Sequence, residues 1–298
     1  MNLGYACLNT VLSKNKITTN RTMRRKTFDT QGLDLVSYLA IQNVKDLKTY
    51  IQWNNDNGIK LFRLSSQIFP WSDDYELSDL KDYNEICNIM LEIGEIATTT
   101  GQRLTMHPGP YNCLASPNEK VVAKTIRELN FHSKQFNLMG FEPSYYNKIN
   151  IHVGGAYNDK ENTLKRFCEN FQLLNDDTKK RLVIENDDNI NEYSVKDLYE
   201  GLYSKIQIPI TFDYFHHIFN TGGLSEEEAL KLASTTWPKN IKQCCHYSES
   251  RQLEYNDYSI RPQAHSDLIY NKINNYMMDI DIVIEAKLKE QAVLGSLA

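Results

Sequence analysis

Six side chains suited to binding divalent metal ions stand at the ends of short apolar runs. His107 follows Leu-Thr-Met, His152 follows Ile-Asn-Ile, Glu185 follows Leu-Val-Ile and Asp213 follows Ile-Thr-Phe. His246 follows Gln-Cys-Cys, and Glu285 follows Ile-Val-Ile. The steps between them are 45, 33, 28, 33 and 39 residues, each the length of one strand plus one helix, roughly 30 residues or more. Imidazole and carboxylate together suit Zn, Mn or Fe, and a mixed set of this size exceeds what one ion needs. His216, three residues after Asp213, and His265, in the loop before the last helical segment, add two further donors. A lone histidine or acid at such a position is ordinarily a packed residue, a helix cap or a solvated one. Six of them on separate apolar runs need a common reason, because charged groups at a core margin require partners.

The elements that would position these groups are legible in the apolar periodicity. Strands are expected at Asn2–Cys7, Leu61–Ser65, Arg103–His107, Asn150–Val153, Leu182–Asn186, Ile210–Tyr214, Lys242–Tyr247 and Ile280–Ala286. Helical spacing between them predicts helices near Val44–Asn57, Tyr83–Thr99, Glu119–Met139, Thr163–Leu174, Val195–Tyr203, Glu226–Ser234 and Asp267–Met278. Gly101 and Gly140 are the expected helix stops, and Ser194 and Ser225 the expected starts. Eight strands alternating with seven interior helices predict an α/β chain folded as one (β/α)8 barrel over residues 1–298. A doubly wound open sheet has the same count. In a barrel, all the strand ends converge on one face, which would gather the six ligands on one rim.

Three loops of that rim stand out. His107-Pro108-Gly109 turns sharply off its strand, and Gly109 would allow close backbone approach to a ligand. His152-Val153-Gly154-Gly155 has the same character, and Glu185-Asn186-Asp187-Asp188 packs three acids into four residues. Such crowding is costly unless cations lie nearby. Residues Val11–Phe28 carry six basic side chains, Lys14, Lys16, Arg21, Arg24, Arg25 and Lys26, and no acid. Following the first strand, this stretch would overhang the rim and suits backbone phosphates. Among rim aromatics, Tyr5, Phe69, Trp71 and Tyr111 offer rings for stacking on bases.

The whole chain has 298 residues, 33 Lys+Arg and 38 Asp+Glu, a net charge of −5. That balance excludes a generally basic nucleic-acid coat but not a local basic patch. No apolar run reaches the roughly 18 residues of a membrane span, and the first residues lack the form of a secretory signal. Six scattered cysteines suggest free thiols in a reducing compartment. An intracellular, unsecreted protein is therefore expected, without membrane contact.

The motifs in order also carry a resemblance. Gly4-Tyr5-Ala6-Cys7-Leu8-Asn9, Arg63-Leu64-Ser65-Ser66, His107-Pro108-Gly109, His152-Val153-Gly154-Gly155 and Glu185-Asn186-Asp187-Asp188 are followed by Asp213-Tyr214-Phe215-His216-His217, His246-Tyr247-Ser248 and Glu285-Ala286-Lys287. Together they resemble the UV damage endonuclease family, relatives of the endonuclease IV barrels, over nearly the whole chain. The resemblance implies a three-metal barrel enzyme that nicks damaged double-stranded DNA immediately 5′ to ultraviolet photoproducts. By that likeness, His107, His152 and Glu185 hold one ion, and Glu185 bridges to a second held with Asp213, His246 and Glu285. His216 and His265 would hold a third. The metal is expected to be Mn2+, with Zn2+ and Mg2+ as alternatives. Glu185, Asp213 and Glu285 would support attack by activated water on the phosphodiester, leaving a 3′-hydroxyl and a 5′-phosphate. Tyr5 and Asn9 match positions close to the scissile phosphate and lesion, and a monomer suffices.

Two departures from the family pattern matter. Cys244 stands where the family usually has a lysine that can become a carboxylate-bearing ligand, so either Cys244 or Lys242 replaces it or the third ion is weaker or missing. Pro110 stands where a glutamine usually precedes the tyrosine that probes the duplex, leaving Tyr111 in place. The competing readings are an abasic-site endonuclease with the same metals, a barrel sugar isomerase, and a damage-binding protein with impaired catalysis.

Overall fold

The structure, a computed structural model, describes residues 1–297. Eight strands are present among them: β1 (Leu3–Ala6), β2 (Leu61–Leu64), β3 (Arg103–Met106), β4 (Ile149–Ile151), β5 (Leu182–Glu185), β6 (Ile210–Thr211), β7 (Cys244–Tyr247) and β8 (Asp281–Ile284). All pair in parallel in the order β6-β5-β4-β3-β2-β1-β8-β7. The two outer strands meet at a single bridge between Asp213 and His246, where the His246 N–H donates to the Phe212 carbonyl at 2.9 Å. The barrel therefore closes at two of the expected ligands.

Inside the barrel, alternate residues of each strand face the axis. Arg103 on β3 reaches Asp281 on β8 at 3.2 Å. These strands are not neighbours, so the contact crosses the interior. It also fixes the inward sets Arg103, Thr105, His107 and Asp281, Val283, Glu285. Arg103 is fully buried, and donates further to the carbonyls of Tyr145, Tyr146 and Lys242. An ion pair thus plugs one end of the barrel, while the ligands crown the other. Between barrel and helices lies an apolar layer built from residues such as Phe62, Leu104, Ile149, Ile184 and Ile282.

The outer helices largely follow the expected pattern: α1 (Thr10–Ser13), α2 (Arg25–Asp56), α3 (Tyr83–Thr100), α4 (Glu119–Leu138) and α5 (Lys160–Phe171) come first. Gly101 closes α3 at φ 67°, and Gly140 follows α4 at φ 76°. Ser194 and Ser225 begin the helices Val195–Leu198 and Glu226–Thr235 with capping boxes completed by Asp197 and Glu228. Five residues, Tyr199–Tyr203, continue the first of these as a π-helical turn.

Two expectations need correction. The helix expected at Val44–Asn57 begins nineteen residues earlier, at Arg25, and bends at Gly32, whose φ of 58° and ψ of −150° are not helical. Its polar first turns hide the periodicity, and they absorb the end of the basic stretch that was expected to be a loop. The expected helix Asp267–Met278 is irregular chain. Its N–H groups are taken by acidic side chains: Glu254 accepts from Asp267 at 2.7 Å, and Glu249 accepts from Tyr270 and Asn271. Further along, Asn274 and Asn275 accept from Tyr276 and Met277, both at positive φ. Asparagine competes in this way with helix hydrogen bonding. Among the described residues, no helix is long and apolar enough to cross a membrane, and all six cysteines are free.

One glycine in β1 is held by packing. A Cβ on Gly4 would lie 2.1 Å from the Leu61 carbonyl oxygen, so β1 and β2 approach only without it. Gly4→Ala should cost about 1–3 kcal/mol, as overpacking does. Urea unfolding monitored by circular dichroism checks this, and unchanged stability would contradict the assigned close approach.

Candidate metal centre

Glu185 is the hub. It ends β5 with 1% of its surface exposed. Its Oε2 lies 3.2 Å from His107 Nε2 and 3.8 Å from His152 Nε2, and also accepts from Asn150 Nδ2. Its Oε1 lies 3.0 Å from His246 Nδ1 and 3.5 Å from His216 Nδ1. Two groups of metal-type donors result, each with its ligand atoms within 4.8 Å: His107, His152 and Glu185, and Glu185, Asp213 and His246. The carboxylate common to both is the one expected to bridge.

Each surrounding histidine has one ring nitrogen held by the protein. Nδ1 of His107 meets the Pro108 carbonyl at 3.0 Å, that of His152 meets Asp187 at 2.7 Å, and that of His216 meets the Asn186 carbonyl at 2.8 Å. His265 Nδ1 meets the Glu285 carbonyl, also at 2.8 Å. Such contacts fix the ring and leave Nε2 available for a metal. His246 is turned the other way, with Nδ1 toward the carboxylates and Nε2 held inside the barrel by Lys148 at 3.1 Å.

Asp213 supplies the test of fit. Its Oδ1 caps the helix Tyr214–Phe219 by accepting from the His216 N–H at 2.8 Å. Its Oδ2 is buried and has no hydrogen-bond partner. An orphaned carboxylate oxygen facing a histidine–glutamate cluster is what a cation would satisfy. The donor set of imidazole nitrogens and carboxylate oxygens fits Mn2+, Zn2+ or a similar divalent ion.

Charge is crowded here. Burial, with Glu185 and Glu285 nearby, pushes the Asp213 carboxyl up to about 6 despite His216. Burial disfavours charge on His152 and His216, yet the surrounding carboxylates raise them to about 10 and about 9. Burial, reinforced by Lys148, lowers His246 to about 3 even beside Glu185. Glu185 and Glu285 are held below the usual carboxylate range against the effect of burial, Glu185 by the surrounding histidines, of which His152 carries charge, and Glu285 chiefly by Arg63.

Glu285, His216 and His265 border the centre without forming a third three-donor group among the described residues. Glu285 is engaged by the Arg63 guanidinium, with His246 Nδ1 at 3.4 Å and His265 Nδ1 at 3.7 Å. Cys244 is buried among Ala6, Leu61, Val183 and Val283. Lys242 points to the opposite end of the barrel, 2.8 Å from Asp279 and 3.5 Å from Asp281, and so cannot act at the rim.

The residues expected to meet DNA divide into two sets. Tyr5 and Asn9, expected close to the scissile phosphate and lesion, are fully buried. Tyr5 Oη donates to Asn54 at 2.8 Å and accepts from Asn9, whose side chain caps α1. Phe69 is buried too, and Trp71 stacks on Phe28 beneath Arg25. Tyr111, by contrast, is 88% exposed beside exposed Pro110. Gly109 is less constrained than expected, since a Cβ there would meet only the Tyr111 ring at 3.9 Å. At Gly154, φ is 93° and a Cβ would lie 2.5 Å from Cys113 Sγ. Of the basic residues, Arg21 pairs with Asp46 at 2.6 Å and Arg25 with Asp29 and Asp74. Lys14, Lys16, Arg24 and Lys26 are exposed, without an ion pair among the described residues.

Compared with known proteins, the chain matches the family model described as UV-endonuclease UvdE over residues 1–298. The chain belongs to the UV-endonuclease UvdE family. It is 38% identical over 302 residues to the UV-damage endonuclease of Schizosaccharomyces pombe, an alignment covering 98% of this chain and 49% of that protein. The chain thus spans about half the length of that relative. It is 33% identical to the UV DNA damage endonuclease of Clostridium perfringens, covering 97% of this chain and 68% of the other. Its barrel superposes on the crystal structure of SacUVDE with a TM-score of 0.86 at 31% identity, covering 100% of this chain and 96% of that one.

Arg63, Asn150 and Asp187 escaped the sequence reading as parts of this UvdE-family centre. Strand alternation would have found the first two. Arg63 is an inward residue of β2, and Asn150 lies two before His152 on β4. Asp187 was visible only as one acid in a crowded run. Asp187→Asn should weaken metal binding about 10–100-fold, by loosening His152. Equilibrium dialysis with Mn2+ reads this directly, and unaltered affinity would contradict the orienting role.

Proposed function

We propose that this chain is a metal-dependent endodeoxyribonuclease that nicks duplex DNA immediately 5′ to ultraviolet photoproducts, leaving a 3′-hydroxyl and a 5′-phosphate. The observation that carries the reading is Glu185, a buried carboxylate shared by two sets of metal-type donors on the rim of a UvdE-family barrel. Residues His107, His152 and Glu185 would hold one ion, and Glu185, Asp213 and His246 a second, with Mn2+ the expected metal and Zn2+ or Mg2+ the alternatives. Glu285, His216 and His265 would complete the second site and serve a third. Divalent ions so held supply Lewis acidity at the phosphodiester and acidify water at neutral pH.

The chain's own groups then have defined tasks. Glu185 sets the separation of the two donor sets, and Asp213 presents an oxygen with no other partner. Arg63 holds Glu285 and offsets part of the rim's negative charge. Tyr111, exposed on the loop after His107, is placed to enter a duplex whose stacking a photoproduct has weakened, where opening costs less. The exposed cations Lys14, Lys16, Arg24 and Lys26 suit the phosphate backbone, whereas Arg21 and Arg25 are engaged in holding the segment's own fold. Damaged duplex DNA is the partner, and one copy of the chain carries every group used.

With Mn2+, a labelled duplex containing one thymine dimer should be cut on the 5′ side of the dimer. Glu185→Gln should reduce cutting to background while DNA binding stays within about twofold, since phosphate contacts supply most of the affinity. Normal cutting by that variant would overturn the assignment, and cutting confined to abasic duplex would favour the abasic-site reading. Arg24→Gln with Lys26→Gln should lower the slope of log affinity against log salt by about 0.9 for each phosphate no longer neutralised. An unchanged slope in a filter-binding titration would remove this segment from the interface.

A further inference from the structure

Beneath the metal-type donors, a buried amine closes a ring of hydrogen bonds. Lys148 stands at the start of β4 and is fully buried. Its Nζ lies 3.2 Å from Asn150 Oδ1, 2.8 Å from Thr211 Oγ1 and 3.1 Å from His246 Nε2. Asn150 uses its other end, Nδ2, to donate to Glu185 Oε2. His246 uses its other nitrogen, Nδ1, to meet Glu185 Oε1 at 3.0 Å. The circuit runs Lys148, Asn150, Glu185, His246 and back to Lys148, so one amine holds the two groups that grip both oxygens of the shared carboxylate. Thr211, on β6 beside Glu185, takes a further hydrogen bond from the amine, and its side chain makes none to either donor set.

This arrangement matters because His246 differs from the other histidines of the rim. Their rings are fixed by carbonyls or a carboxylate close to the rim. His246 stands at the barrel seam, where, among the described residues, the Asp213–His246 bridge alone joins β6 to β7. Its Nε2 points into the interior, where Lys148 meets it at 3.1 Å. That contact fixes which ring nitrogen faces the carboxylates, and the one from Asn150 gives Glu185 Oε2 a partner that is not a candidate ligand.

We propose that Lys148 is a positioning residue of the metal centre: it orients His246 and, through Asn150, Glu185, so that both donor sets share one carboxylate. The assignment rests on the metal-centre reading above and adds to it an interior residue that reaches no metal or substrate.

The test is equilibrium dialysis of the full chain against Mn2+ alone, with circular dichroism of the metal-free proteins as the check on folding. Lys148→Met keeps the length of the side chain and removes its donors. It should bind Mn2+ at least tenfold more weakly than the parent, the range seen when an outer partner of a metal ligand is removed. Thr211→Val removes a hydrogen bond that lies outside the circuit, leaving the amine held by Asn150 and His246, and should bind within about threefold of the parent. Equal Mn2+ affinity in Lys148→Met and the parent overturns the proposal. A loss in Thr211→Val as large as in Lys148→Met overturns it too, because a general packing role then explains both. Should Lys148→Met not fold, Asn150→Leu is measured, and it should show the same tenfold loss; parental affinity there overturns the circuit. A parent chain that takes up no Mn2+ instead overturns the metal-centre reading, and this assignment with it.

Discussion

A carboxylate removed from water beside two others sets the terms for this molecule. Glu185, Asp213 and Glu285 crowd one rim of the barrel, with Glu185 and Asp213 fully buried. At an effective dielectric of about 20, two like charges 4 Å apart repel by about 4 kcal/mol. The protein counters this with several devices at once. Arg63 grips Glu285, histidines surround Glu185, and the His216 N–H donates to Asp213 Oδ1 at 2.8 Å. The compensation stays incomplete at Asp213, whose carboxyl is pushed up to about 6 and whose Oδ2 has no partner. A site built this way leaves a demand for positive charge unmet.

The fold serves that receptor through repetition. Each strand brings its donor to the same end because parallel strands all point one way. The two-residue alternation then decides what lies beneath each donor: Thr105 under His107, Asn150 and Lys148 under His152, and Val283 and Asp281 under Glu285. At the far end the Arg103–Asp281 pair closes the barrel with its own charges matched. Polar groups thus occupy both ends, and the matched pair is structural while the unmatched end is available for ligands. Crowded charge alone would not have separated the two.

Much of this was legible in the chain. Apolar runs ending in His, Glu or Asp at steps of 28–45 residues marked the strands, their direction and the candidate ligands together. What was not legible depended on competition between side chains and backbone, or on distant pairing. The stretch after Asp267 has helical spacing, yet Glu249 and Glu254 reach in from elsewhere to take its N–H groups. Tyr5 and Asn9 look like surface residues of a motif loop, but they bond each other and Asn54 of α2 in the interior. Six basic residues in a row of eighteen read as one patch, although Asp46, Asp29 and Asp74 claim two of them. The net charge of −5 likewise averages an acidic, ligand-rich rim with a segment of exposed cations, and it describes neither.

The central claim is that Glu185 is shared between two ions. Anomalous diffraction at the manganese absorption edge, from crystals equilibrated with Mn2+, tests it most directly. Two anomalous peaks are expected to flank the Glu185 carboxylate, one among His107 and His152 and one among Asp213 and His246. Peaks that leave Glu185 uncontacted, or a rim without anomalous density at saturating Mn2+, would contradict it.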